Sequence, residues 1–297
     1  MKNKRTAKNL NEHIFQSINY IVFFFFTFVC VYPFYYLFLV SVSNPVDVAN
    51  GQVVLIPSEF SLFNYEKMFL IRGIAQAFFI SASRAVFGTI ITVFTTSLFA
   101  YALTKKDLFG RKFMYRFTIF TMYASAGLIP WYITMKYLGL DNNYLLYILP
   151  YVISPFGLIL IKTYMESISP YLEESALVDG AGYLTIFIKI IMPISKPILA
   201  AVSVYSAVWQ WNLWQDNFFL VGNAKLQTLQ LLLINFTRDA ESFVNAQNLM
   251  ILGSMKKLNP FALKTTIAIF SAIPIILVYP LMQKYFIKGI MLGSVKG

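Results

Sequence analysis

The stretch "EESALVDGAGYLTIFIKIIMP", residues 173–193, lies between two long apolar runs, yet it opens on Glu173, Glu174 and Asp179 around a Gly180-Ala181-Gly182 break. Two readings compete: a plain connection between membrane spans, or a surface that another molecule grips. The residues just before it, Ser169-Pro170, and the early acids match what a helix N-terminus prefers. Leu172, Ala176 and Leu177 fall at i, i+4 and i+5 and make one apolar stripe. Gly180 and Gly182 then break or turn the helix. The pattern predicts a short amphipathic helix, a turn, and a second helix, "YLTIFIKIIMP", leading back into an apolar span. On pattern alone both readings stay open.

The rest of the chain identifies its solvent. Of 297 residues, 58% are hydrophobic and 12% charged, with a mean hydropathy of +0.64. Soluble domains carry roughly 25% charged residues, so about half that share points to lipid, and the 29 Phe fit the same medium. The net charge of +11 raises the question of nucleic acid. The Lys and Arg residues, however, cluster at the ends of apolar segments, where membrane topology uses them. No aromatic-basic binding module is visible, so nucleic acid is not an expected partner. Cys30, the single cysteine, sits inside an apolar run, which excludes disulfides and cysteine metal sites. His13, the lone histidine, lies in the polar N-terminal tail. No metal or cofactor is expected in this chain.

A polar tail, residues 1–17, precedes an apolar run at 18–42 that is too long for a signal-peptide core and lacks a cleavage site. A span needs about 20 apolar residues, and five further candidates follow at about 74–103, 113–137, 144–165, 194–221 and 262–286. The expected fold is an all-α membrane protein of about six transmembrane helices over 18–286, closed by a tail at 287–297. Gly127, Pro130, Pro150, Pro155, Pro274 and Pro280 inside these runs imply bent helices in a packed bundle. Lys105, Lys106, Arg111, Lys112 and Arg116 crowd one short connection and mark it as cytoplasmic. An even number of spans then puts both termini, and the 173–193 stretch, on the cytoplasmic side.

The same stretch resembles the EAA loop of binding-protein-dependent ABC importer permeases. That loop reads Glu-Ala-Ala, three residues, Gly, nine residues, Ile, one residue, Leu-Pro. Here Glu174-Ser175-Ala176, Gly180, Ile190 and Met192-Pro193 keep the spacing, with Ser175 for Ala and Met192 for Leu. Further pieces along the chain resemble the carbohydrate-uptake permeases of the maltose-transporter type, in the branch with LplC-like and YtcP-like permeases. They include "SRAVFGT", "AYALTKKDLFGRK", "GLIPWYITMKYLGLDN", "WNLWQDNFF" and the ending "YPLMQKYFIKGIMLGSVKG".

The resemblance implies a type I ABC importer permease fold with a cytoplasmic EAA coupling helix. It implies a permease that does no chemistry and carries a saccharide across the cell membrane. Its partners would be a second, homologous permease subunit, two ATPase subunits that bind ATP and Mg, and an extracytoplasmic solute-binding protein. On this resemblance Glu173, Glu174, Ser175, Ala176, Asp179, Gly180, Ala181, Gly182, Ile190 and Pro193 form the ATPase-coupling segment. Glu174 would make polar contact with the ATPase. Ser175 and Ala176 would permit close approach, Gly180 would supply the turn, and Pro193 would mark entry to the fifth span.

For the substrate pathway, Trp209, Trp211 and Trp214 with Asn212, Gln215 and Asp216 combine flat aromatic faces with hydrogen-bonding groups, as sugar sites do. Tryptophans near a span end also form interfacial belts, and both readings stay open. Arg84 lies within the second span, where an arginine in lipid costs about 2.5 kcal/mol or more, so it should face protein or water. Pairing of Arg84 with Asp216 is conceivable, but the two are expected at different depths. Tyr123, Ser125 and Asn142 are further wall candidates.

Three alternatives remain. An ion-coupled secondary transporter needs intramembrane carboxylates and often repeated halves, but only Asp216 is near a span and no repeat is seen. A membrane enzyme needs a nucleophile-base pair or a metal motif, and none is present; the absent G-x-x-x-x-G-K-[ST] means the chain has no ATP site of its own. An ABC permease for a non-sugar solute is opposed only by the subfamily resemblance. Within saccharides, an oligosaccharide is favoured and acidic ones are within range.

Overall fold

The computed structural model describes residues 2–57, 59–238 and 259–294. Among them there is helix and loop but no strand beyond one antiparallel bridge between Ser43 and Phe60. Contacts divide the described residues into two compact units, one within 1–71 and 236–270 and the other within 72–235 and 271–297.

In the first unit, α1 (Lys2–Ser41) carries the N-terminal polar residues and the first span as one helix. The segment Glu12–Ser41 is long and apolar enough to cross a membrane, and Phe23 to Phe26 stand exposed, as lipid-facing side chains do. After α1 come α2 (Pro45–Ala49) and α3 (Phe63–Leu70). Buried Asn64 donates from Nδ2 to the Ser43 carbonyl at 2.9 Å, tying α3 to the end of α1. Leu39 and Val40 pack with Val53 and Ala262.

The second unit is organised on α4 (Ile74–Thr104). Its buried positions include Ala77, Ser81, Arg84, Gly88, Thr92, Thr96 and Ala100, spaced three or four apart, while Phe79, Val86, Phe87, Ile90 and Phe94 are exposed. Small and polar residues thus face protein and large apolar ones face outward, the reverse of a soluble helix. Membrane helices pack this way because lipid competes for apolar surface but not for close backbone approach.

The third, fourth and fifth expected spans are broken. The third divides into α5 (Arg111–Tyr123) and α6 (Leu128–Tyr137) around Ala124–Gly127. In the fourth, tight 3-10 turns at Tyr144–Tyr147 and Leu149–Tyr151 precede α7 (Pro155–Glu166), bent by 46°. Pro155 starts α7 rather than kinking it, because a first-turn residue needs no N–H donor. Ser154 caps it, accepting from Gly157 N at 3.0 Å. Hydroxyls of α4 satisfy the backbone that the break frees. Thr92 donates to the Tyr151 carbonyl at 2.7 Å, Thr95 donates to the Val152 carbonyl, and Ser154 N donates to Thr96 Oγ1 at 3.0 Å. Without water, such partners are what make an interrupted span tolerable.

Next come α8 (Pro170–Val178), α9 (Tyr183–Ile186), a π turn at Phe187–Ile191 and α10 (Met192–Ile194). An 82° bend separates Tyr183–Ile194 from α11 (Lys196–Asn212), and α12 (Gln215–Leu220) follows a second break. The described chain ends with α13 (Leu229–Arg238) and α14 (Pro260–Ser294), which carries Pro274 and Pro280 inside it. Among the described residues, three helices are by length and composition fit to cross a membrane, or up to five if each bent pair is one span. The C-terminal residues expected as a tail are helical to Ser294.

Candidate functional site

The 173–193 stretch is a helix, a tight stop and a second helix. Gly180 adopts φ +80°, and its N–H donates to the Leu177 carbonyl at 3.0 Å while Ala181 N donates to the Ala176 carbonyl at 2.9 Å. This pair of bonds is the Schellman stop, with glycine at the left-handed position. The expected apolar stripe is only partly used: Ala176 is buried, but Leu172 and Leu177 remain 46% and 39% exposed. Ala176 packs into the core of this chain with Tyr101, Met165, Ile186 and Phe187, and Ala181 and Ile190 lie against the same cluster. The small size of Ala176 is therefore explained by packing within the chain. Glu173 is also held internally: its Oε1 accepts from Tyr101 Oη at 3.1 Å and pairs with Lys105. Glu174, Ser175, Asp179, Gly180, Gly182 and Pro193 are exposed.

The second locus is the break between α11 and α12. Arg84 and Asp216, expected at different depths, form a buried bidentate pair: Nη2 to Oδ2 at 2.5 Å and Nη1 to Oδ1 at 3.1 Å. That expectation fails because the fifth span is not one straight rod; it bends at Ser195 and stops at Leu213. Arg84 Nη1 also donates to the Leu213 carbonyl at 3.0 Å, and Nε donates to Gln210 Oε1 at 3.0 Å. The cation thus caps the carbonyl end of α11, and the carboxylate occupies the first turn of α12, each at the favoured pole of its helix. Asp216 Oδ1 also accepts from Asn217 N at 2.7 Å, and the Arg84 guanidinium lies 4.6 Å from the Tyr147 ring centre.

Around this pair the network continues. Asn217 Nδ2 donates to Tyr147 Oη at 2.7 Å, Tyr147 Oη donates to the Leu226 carbonyl at 2.7 Å, and Thr228 N donates to Asn217 Oδ1 at 2.9 Å. Gln210 of α11 packs against α4 at Gly88, where a Cβ would stand 2.8 Å from its Nε2, so a larger residue there would push the amide aside. Asn142, with φ +50°, accepts from Gly222 N at 2.7 Å and Asn223 N at 3.0 Å, making it a loop staple rather than a cavity wall.

Beside this centre is a cleft of about 950 Å³, mostly apolar, whose lining includes Thr92, Tyr151, Ser154, Tyr205, Trp209 and Gln210. Trp209 is half exposed in it and meets Tyr151 edge-on, ring centres 4.6 Å apart. Of the other pathway candidates, Trp211 is buried, donating to the Ser271 carbonyl at 2.9 Å and packing on Phe78. Asn212 donates back to the Val208 carbonyl at 2.8 Å, Trp214 packs edge-on against Phe218, and Gln215 is exposed. Tyr123 is 79% exposed and outside the cleft lining; Ser125 accepts from Gly127 N in a local turn. Gln210, Asn217, Tyr147 and Tyr151 were not singled out from the sequence. Gln210 and Asn217 lie within the Trp-rich string, but an amide there gives no sign of burial. Among the described residues no three His, Cys, Asp or Glu side chains gather as a metal site.

No family model matches the chain. It is 34% identical over 288 residues to the polygalacturonan/rhamnogalacturonan transport system permease protein YtcP of Bacillus subtilis, covering 97% of this chain and all of that one. It is 32% identical to protein LplC of the same organism over 91% of this chain and 90% of that one. Among solved structures, a bacterial ABC transporter involved in the import of the acidic polysaccharide alginate superposes with a TM-score of 0.82 at 30% identity, covering 93% of this chain and 98% of that one. With identity of this order spread over nearly its whole length, the chain belongs to the sugar ABC transport permeases, in the branch that holds YtcP and LplC.

Proposed function

We propose that the chain is one of two permease subunits of an importer that carries an oligosaccharide, acidic ones included, into the cell. In this reading an extracytoplasmic binding protein delivers the sugar, two ATPase subunits holding ATP and Mg drive the cycle, and both termini are cytoplasmic. The observation that carries it is the form of α8. The helix is rooted in its own core by Ala176, yet it presents Glu174, Ser175 and Asp179 outward above a fixed stop at Gly180. A polar face on so firmly seated a helix has work to do outside the chain. A nucleotide-driven closure of the ATPases would displace that helix and, through the bend at Ser195, the span behind it.

The saccharide assignment draws on YtcP, whose name records polygalacturonan and rhamnogalacturonan transport, and on the alginate transporter. The cleft beside Trp209 and Tyr151 supports it, offering aromatic rings for C–H faces and hydroxyls for polar contacts. Among the described residues its lining holds no charged side chain, so on this side stacking and hydroxyl bonding would carry recognition. The test is reconstitution with the partner permease, ATPases and binding protein, measuring uptake of labelled oligogalacturonates and of neutral oligosaccharides. ATP-dependent uptake of either is expected. Uptake driven by a proton or sodium gradient without ATP would overturn the reading.

A further inference from the structure

One helix holds both loci. At its C-terminal end α4 grips α8: Tyr101 Oη and Lys105 Nζ both reach Glu173 Oε1, and Lys105 Nζ lies 3.9 Å from the Tyr101 ring centre and 5.6 Å from that of Tyr183. Lys105 is the residue that ends α4, so its charge also sits at the favoured pole of that helix. Seventeen residues before Tyr101, about 26 Å along the axis at 1.5 Å per residue, Arg84 grips the α11–α12 break through Gln210, Leu213 and Asp216. Between the two grips α4 is continuous helix without proline, and its Thr92 lines the cleft. The covalent route from α8 to the cleft runs instead through a π turn and an 82° bend.

Glu173 therefore differs in kind from its neighbour Glu174. Its carboxylate is turned inward, partly covered, and engaged by two donors of another helix. We propose that Tyr101, Lys105 and Glu173 form a latch that passes displacement of α8 directly into α4, and so to the Arg84–Asp216 junction beside the cleft. The three are positioning residues for transport, and the idea rests on the reading of α8 as the ATPase-facing helix.

The test uses the complete transporter in proteoliposomes, with ATP hydrolysis and sugar uptake measured on the same preparation. Glu173→Gln and Lys105→Met are expected to retain ATPase subunits and hydrolysis while uptake per ATP falls about fivefold or more. Lys105→Glu alone should uncouple at least as strongly, and Lys105→Glu with Glu173→Lys should recover most of the loss. Unchanged uptake per ATP in Glu173→Gln would overturn the latch. So would a charge-swapped protein that accumulates and assembles normally but stays uncoupled. Glu174→Ala, which removes an outward carboxylate, separates this from the underlying reading: it should weaken ATPase retention. If retention is untouched there, the docking role of α8 fails, whatever the latch variants do.

Discussion

The segment 173–193 and the Arg84–Asp216 centre are both charged places in an apolar chain, and they are built in opposite ways. In the first, Ala176, Ile186, Phe187 and Ile191 are buried in the chain's own core and most of the polar side chains are left facing out. In the second, four of the five guanidinium N–H groups are engaged, and both side chains are essentially inaccessible. A charge that is fully matched within the chain serves the chain's own geometry. A charge left unmatched on a rigid helix is available to another molecule. The comparison separates Asp216, which the Trp-rich string suggests as a sugar ligand, from Glu174, and it moves Glu173 to the internal side.

The sharpest way to break the comparison is to unmatch the closed centre. Removing one partner of a buried pair leaves an uncompensated charge and costs about 3–5 kcal/mol, so Arg84→Ala and Asp216→Ala should each sharply reduce the amount of folded chain in the membrane. Reversing the pair, Arg84→Asp with Asp216→Arg, should not recover it, because the Leu213 carbonyl would lose its donor. Arg84→Met with Asp216→Leu should do better than either single change. Quantitative membrane-fraction blots and thermal melts in detergent would check the order. A stable Asp216→Ala protein with altered sugar selectivity would mean that the carboxylate faces the pathway after all.

The two loci also differ in how far they can be read from sequence. The EAA-like spacing, the Gly180 stop and the helix-turn-helix form are set by residues within a few positions of one another, so local pattern suffices. The α4 span is equally legible, being unbroken. The third to fifth spans look continuous because hydropathy reports composition and not backbone. The break in the fourth depends on Thr92, Thr95 and Thr96, almost sixty residues away, which satisfy the freed groups. The pairing of Arg84 with Asp216 spans 132 positions and follows from those bends, so depth counted along straight spans separates two residues that meet. Likewise, three tryptophans within six residues look alike in sequence but one lines the cleft, one is buried and one packs on Phe218.

That last contrast gives a second experiment of nearly equal size. Trp211→Ala empties a buried site and removes a hydrogen bond to Ser271, and large-to-small aromatic changes cost about 3–5 kcal/mol. The loss should appear in stability, with uptake and basal hydrolysis falling together. Trp209→Ala, in the cleft, should leave the melting temperature nearly unchanged and lower sugar uptake alone. Equal behaviour of the two variants would remove the cleft from the pathway.

At the open locus the effects on folding should be smaller and those on function larger. Valine at Gly180 would be forced into a left-handed backbone, costing about 1–2 kcal/mol, although the space for its Cβ is open. Gly180→Val should therefore accumulate in the membrane but lose uptake, since α9 would leave α8 in a different direction. Gly180→Asn should be milder, because asparagine tolerates that conformation. Normal uptake by the valine protein would count heavily against a mechanical role for the turn.

Gly182 offers the smallest and most discriminating change. Its φ of −76° and ψ of 157° are open to any residue, and a Cβ there meets nothing within 4 Å. Nothing within the described residues requires glycine at this position. Gly182→Ala should leave the stability of the chain within about 0.5 kcal/mol, measured as a melt of the purified subunit. A several-fold loss of uptake or of ATPase retention in that same protein would then report another molecule approaching closer than a methyl group allows. Unaltered transport would end the gripped surface at Gly180 and leave Glu174, Ser175 and Asp179 to carry the contact.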